Sequence, residues 1–196
     1  MSKTQEQYFE LMELVRKQAL LTSVGAVLGW DEQVNLPAGG AEHRGEQLAL
    51  ISGMTHDLAT DPRIGELLSE LESVSDLGEE TSPEFVNVRE ARRHFDRDAK
   101  MPKKLVEELS RTGTLALHAW VKARQDKDFS EFQPWLEKML NLKREEAAAI
   151  GFGDGVPYDA LLDGYEPGAT AAEIQATFEP LREELVKIVA AIAESP

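Results

Sequence analysis

No cysteine occurs among the 196 residues, which excludes disulfides, thiolate metal sites and a cysteine nucleophile. Positive charge is scarce: 21 Lys and Arg stand against 36 Asp and Glu, a formal net charge of −15. Nucleic-acid affinity comes largely from basic side chains on phosphate, so that class of partner is excluded, as is an anionic membrane surface. Such acidity serves solubility in most proteins, and its functional counterpart is attraction of cationic ligands. Long apolar runs are missing too. The longest charge-free stretch, Gln18 to Trp30, has 13 residues, whereas a membrane span needs about 20; it reads as a buried helix. The opening Met-Ser-Lys-Thr-Gln-Glu-Gln is polar and mixed in charge, unlike a secretory leader. With no cysteine and no leader, the expected location is the cytoplasm.

Metal-binding spacing is absent as well. A zinc hydrolase needs two histidines one helical turn apart with a glutamate between them as base. His43, His56, His94 and His118 are 13, 38 and 24 residues apart. Di-iron bundles need Glu-x-x-His on two helices, but Gly40, Gly53, Ala91 and Leu115 stand three before the histidines. Gly151, Gly153 and Gly155 suggest a phosphate loop, which requires a strand before and a helix directly after. Here a helix precedes and Pro157 follows, so Gly151 reads as a left-handed helix end. No Ser or Thr nucleophile has an identifiable base. Glu90, His94 and Asp98 share one helical face at spacings of four, but Arg89, Arg92, Arg93 and Arg97 around them favour ion pairing. His118 beside Trp120 reads as a packed core histidine. Trp30-Asp31 reads as an aromatic anchor with a helix-end carboxylate, lining a groove being the alternative. No catalytic, cofactor-binding or metal-binding residue is therefore assigned.

What is present is helix. Hydrophobic residues make up 42% of the chain, enough for a core, and they recur at three and four residues with little alternation. Thr4 with Gln7, Ser130 with Gln133 and Thr170 with Glu173 fit capping boxes, while Pro62, Pro83 and Pro102 open periodic stretches. The spacing predicts helices at about 5–29, 41–60, 62–73, 83–99, 102–126, 131–150 and 171–194, with a short turn at Tyr158–Asp163 and a kink or break at Pro180. One stripe carries Phe85, Val88, Ala91 and Phe95; another Leu105, Leu109, Ala116 and Trp120. The last helix carries Ile174, Phe178, Leu181, Leu185, Ile188 and Ile192. The expected class is all-α, an array of antiparallel helix pairs joined by short loops.

Several blocks resemble the carboxypeptidase Taq family of metallocarboxypeptidases, across nearly the whole chain. They are Leu28-Gly-Trp-Asp31, Leu36-Pro-Ala-Gly-Gly-Ala41 with Arg44 and Gln47-Leu48, and Asn87-Val-Arg-Glu-Ala-Arg-Arg93. Leu105-Val-Glu-Glu-Leu-Ser110 through Ala119-Trp120 and Ala123-Arg124 follows, then Asp128-Phe-Ser-Glu-Phe132, Tyr158-Asp-Ala-Leu-Leu-Asp163 and Tyr165-Glu-Pro-Gly168. Their order and spacing together carry the resemblance. It implies a helical, zincin-like enzyme that removes residues one at a time from peptide C-termini with broad specificity, uses zinc or cobalt, and commonly forms homodimers. Its His-Glu-x-x-His, third ligand and carboxylate-binding basic residues lie beyond the region matched here, so none is carried over.

The expected organisation is a single helical domain or the N-terminal, groove-forming part of a longer helical metallocarboxypeptidase, inactive alone. The last helix is still in register at the chain end, which favours truncation. A free-standing, non-catalytic helical module that binds peptides or a partner helix is the alternative. A truncated part would expose the stripe Leu20, Leu21, Val24, Val27 and Leu28 and that of the last helix. It would form a homo-oligomer or pair with a C-terminal catalytic half.

Overall fold

Residues 2–74 and 77–195 are described by a computed structural model, and no strand occurs among them. They form two compact units, Met1–Leu142 and Lys143–Pro196.

The first unit is a helical layer. Helix α1 (Lys3–Val34) pairs with α2 (Ala41–Ala59) on one side and α3 (Pro62–Glu72) on the other; α2 pairs in turn with α5 (Lys103–Asp126). The spatial order is therefore α3, α1, α2, α5, with α4 (Pro83–Asp98) on α3 and α2. The pairs α3–α1 and α2–α5 run antiparallel, as contacts across the seams show. Arg63 reaches back from α3 to Glu10 at 2.8 Å, Arg111 from α5 to Glu46 at 2.6 Å, and Lys103 to Asp57 at 2.5 Å. Arg92 of α4 forks onto Glu72 of α3 at 2.9 Å by each nitrogen. The pairing expected for the α4 arginines is thus present, since Arg89 and Arg93 also hold Glu90, both at 3.1 Å.

The core follows from α3. Asp61 caps its first turn by accepting from the Arg63 N–H at 2.9 Å, and Pro62 needs no partner at that position. Ile64, Leu67, Leu68 and Leu71 then fall on one face and meet Leu11 of α1 and Val88 of α4; all six are buried. Ala91 and Phe95 complete the α4 stripe at the edge of this cluster.

Local differences from the sequence reading have physical causes. Helix α1 begins two residues early because Ser2 and Gln5, rather than Thr4 and Gln7, form the capping box. Gln7 is buried, and its amide is committed to Glu70 of α3. The helix also runs five residues past Gly29, closing where the Asp31 carbonyl accepts from Asn35 and Leu36. Pro102 sits at the cap position of α5, not inside it. Ser130 bonds Asp128 through both its N–H and its hydroxyl. It belongs to a 3-10 turn, Phe129–Glu131, ahead of α6 (Gln133–Ile150).

In the second unit, Gly151 takes φ +83 after α6, the left-handed end expected of it. Helix α7 (Pro157–Leu162) is the short turn read from the sequence. Its Asp159 carboxylate accepts from the N–H groups of Val156 and Ala171, at 3.0 and 2.8 Å. It therefore closes the start of α7 onto the start of α8 (Ala171–Ala193). Two backbone bonds hold this carboxyl below the usual range. Thr170 and Glu173 form the expected capping box, and α8 runs unbroken through Pro180.

Candidate functional site

A groove runs along α1, between it and the flanking α2 and α4. It comprises two adjoining depressions of about 540 and 510 Å³ that share Gln18, Thr22, Ala59 and Asp98. Ile51 and Val106 are apolar walls of the first, Val15 and Ala19 of the second. His56 enters the first and His94 the second, so two histidines 38 residues apart in sequence flank one carboxylate. The α2–α4 packing that brings them together leaves no periodic trace in the sequence.

The His56 ring is fixed by the end of α4. Its Nε2 lies 3.1 Å from the Asp98 carbonyl and 2.7 Å from that of Met101, so this nitrogen carries the proton and donates. Its Nδ1 is sealed from solvent without a hydrogen bond. The Asp98 carboxyl is held above the usual aspartate range, chiefly by burial; His94, His56 and Arg97 act in the opposite sense. From α1 the groove presents uncharged Gln18 and Thr22, and from α5 Val106. A raised acid favours folding in its protonated form, fully below the ordinary aspartate value, and that contribution is lost as pH rises through the folded value. At neutral pH the ionised group opposes folding. Asp98→Asn should therefore raise the Tm at pH 7, with the difference closing below about pH 3.5. A lower Tm at pH 7 in thermal melts would contradict this.

A second constellation lies at the other end of α1. Buried Arg44 of α2 donates to the Leu28 carbonyl, to Asp31 at 2.5 Å and to Gln47 at 3.0 Å. It holds the Asp31 carboxyl below its ordinary range, helped by Asn35. Next to Asp31, buried Glu32 lies 3.3 Å from Nε2 of His118; both atoms are enclosed, and neither is hydrogen-bonded. His118 is therefore a half-buried partner of a carboxylate, not an apolar core residue. Asp31 is paired as a helix-end carboxylate, three residues before the helix ends. Trp30 is 60% exposed and so is not a buried anchor among the described residues.

Trp30 belongs to an outward apolar face. Leu20, Val24, Val27 and Val34 of α1 are exposed, opposite the core residue Leu11. Leu21 and Leu28, expected in the same stripe, are half-buried instead. In the second unit Phe178, Leu181, Leu185, Ile188 and Ile192 of α8 are all exposed. Two fully apolar helix faces in water are unusual for a finished globular surface.

A hydrolytic metal does not fit the residues present. Among the described residues no group of three or more His, Asp or Glu converges closely enough to hold an ion. No described helix is long and apolar enough to cross a membrane.

This arrangement of helices is that of the metallocarboxypeptidases. The crystal structure of BsuCP superimposes with a TM-score of 0.89 at 27% identity, covering 97% of this chain and 38% of that one. The carboxypeptidase of Pyrococcus furiosus, solved as Apo-Mg, gives 0.79 at 30% identity over 99% and 38%. The family model for carboxypeptidase Taq (M32) metallopeptidases matches residues 10–196, and the chain belongs to that family. Thermostable carboxypeptidase 1 of Thermus thermophilus is 38% identical over 186 residues, which are 91% of this chain and 36% of that protein. The chain thus spans little more than a third of the length of the relatives it matches.

Proposed function

We propose that this chain is the N-terminal, groove-forming portion of a broad-specificity metallocarboxypeptidase that removes C-terminal residues from peptides. The metal, zinc or cobalt, is held by residues that lie beyond the matched third. The observation that carries this reading is the family match along 10–196, combined with a structure in which no described set of residues can hold the ion. The outward faces of α1 and α8 support it, because in a longer enzyme the remaining polypeptide or a second copy would cover them. In the resulting groove the helical layer contributes one wall and excludes water; the reaction itself takes place on residues outside this chain.

The test is peptide hydrolysis. Purified chain with added zinc or cobalt should release no C-terminal residue from a blocked dipeptide. Mixing it with the separately produced remaining portion of the Thermus relative should give turnover that a chelator abolishes. Chelator-sensitive turnover by the chain alone would refute the assignment, as would complementation that proceeds equally well without it.

A further inference from the structure

We propose that the groove bounded by α1, α2 and α4 binds a primary ammonium group, with Asp98 as its counter-ion. The first ground is an unmatched carboxylate. Asp98 is half-buried and lines both depressions, yet among the hydrogen bonds and ion pairs of the described residues none ends on its side chain. Its oxygens are not sealed off, so in the open groove they are within reach of solvent and of a ligand that replaces it. The cationic groups that act on it do so from a distance, and His56 has its one donor turned to backbone carbonyls. The site therefore offers negative charge without a contacting cation.

The second ground is the sense of the neighbouring polar atoms. Thr22 spends its hydroxyl proton on the Gln18 carbonyl at 3.0 Å, and Ser52 spends its own on Ser110 at 3.0 Å. What both hydroxyls leave over is acceptor lone pairs. An ammonium has three donors and no acceptor, so it is the ligand class that leftover hydroxyl acceptors and a carboxylate lining one depression suit. An anion would meet charge of its own sign, in a chain of net charge −15. A divalent cation would need ligands that do not converge here.

The third ground is shape. Ile51, Val106, Val15 and Ala19 give apolar walls along which an aliphatic stem can lie, and about 500 Å³ falls within the range of small-molecule sites. The stem can belong to a small free amine or to a lysine side chain. The unfavourable ionised Asp98 then has a reason to be there, since sites are commonly held at a cost in stability.

The test is an NMR titration of the chain at pH 7 with n-butylamine hydrochloride, against n-butanol and matched sodium chloride. Saturable shifts at the amides of Thr22, Thr55 and Asp98 are expected, with Kd on the order of millimolar. Asp98→Asn should weaken binding about tenfold or more, the loss of one charge-assisted contact. Thr22→Val should weaken it severalfold, and Glu184→Gln, on α8, should leave it unchanged. Acetyl-Ala-Lys-Ala-amide separates the two sources: tighter binding than butylamine assigns a lysine side chain, weaker binding a free amine. The proposal fails if no saturable shift appears up to roughly 50 mM, if butanol binds equally well, or if a folded Asp98→Asn chain binds as the parent does. Should Asp98→Asn not fold, an unchanged affinity in Thr22→Val overturns it instead.

Discussion

Leu67→Ala should cost about 3 kcal/mol of folding free energy, the largest loss expected from any single truncation in the first unit. Leu67 has no exposed surface and lies in the cluster where α3, α1 and α4 meet. Deleting three heavy atoms there removes their transfer energy and leaves a void that three packed helices cannot close. The measurement is urea denaturation followed by circular dichroism. The midpoint should fall without a change in slope. A loss below about 1 kcal/mol would mean that this cluster is not the core of the unit.

Arg44→Ala should rank second, at about 2 kcal/mol. One guanidinium serves three acceptors on two helices: the Leu28 carbonyl, Asp31 and Gln47. Its removal leaves a carbonyl and a carboxylate without their donor beside a new cavity. Arg44→Lys should recover little, because a single ammonium cannot span three acceptors in the same fork. The pair also has a pH signature. The folded Asp31 carboxyl lies below its ordinary value, chiefly through the Arg44 hydrogen bond and secondly through Asn35. Its stabilising effect is thus full above the unfolded pKa and fades as pH falls through the folded one. The difference between parent and Arg44→Ala should shrink in strong acid. A difference that grows with acidification would show that the ion pair is not what Arg44 supplies.

Much of the fold was legible because helices announce themselves locally. The α3 stripe Ile64, Leu67, Leu68 and Leu71, its Asp61-Pro62 start and the Gly151 stop are each written within one or two turns of chain. Boundaries slipped where a side chain had a long-range partner. Gln7 looked like a cap residue but bonds Glu70, which is 63 positions away. Helix α1 continues past Gly29 because Arg44, from another helix, ties down its last turns. The groove was hidden for the same reason. Asp98 and His94 share a helical period and could be paired on paper, whereas His56 joins them only through the packing of α2 beside α4. The pairing of His118 with Glu32 was equally invisible, since sequence shows an imidazole beside a tryptophan and says nothing of the helix opposite.

Helix α1 also has a mechanical property. Its 32 residues make a rod about 48 Å long. It is fastened near one end by Gln7 to Glu70 of α3, and near the other by Asp31 to Arg44 of α2. A rod held at its ends transmits rotation rather than absorbing it. Were the far tie released, pivoting by about 5° at the Gln7 end would carry Trp30 and Val34 through roughly 3 Å. Because both ends are tied, a shift of α3 at Glu70 would be passed along α1 to Arg44, and α3, α1 and α2 would move together rather than one sliding past another.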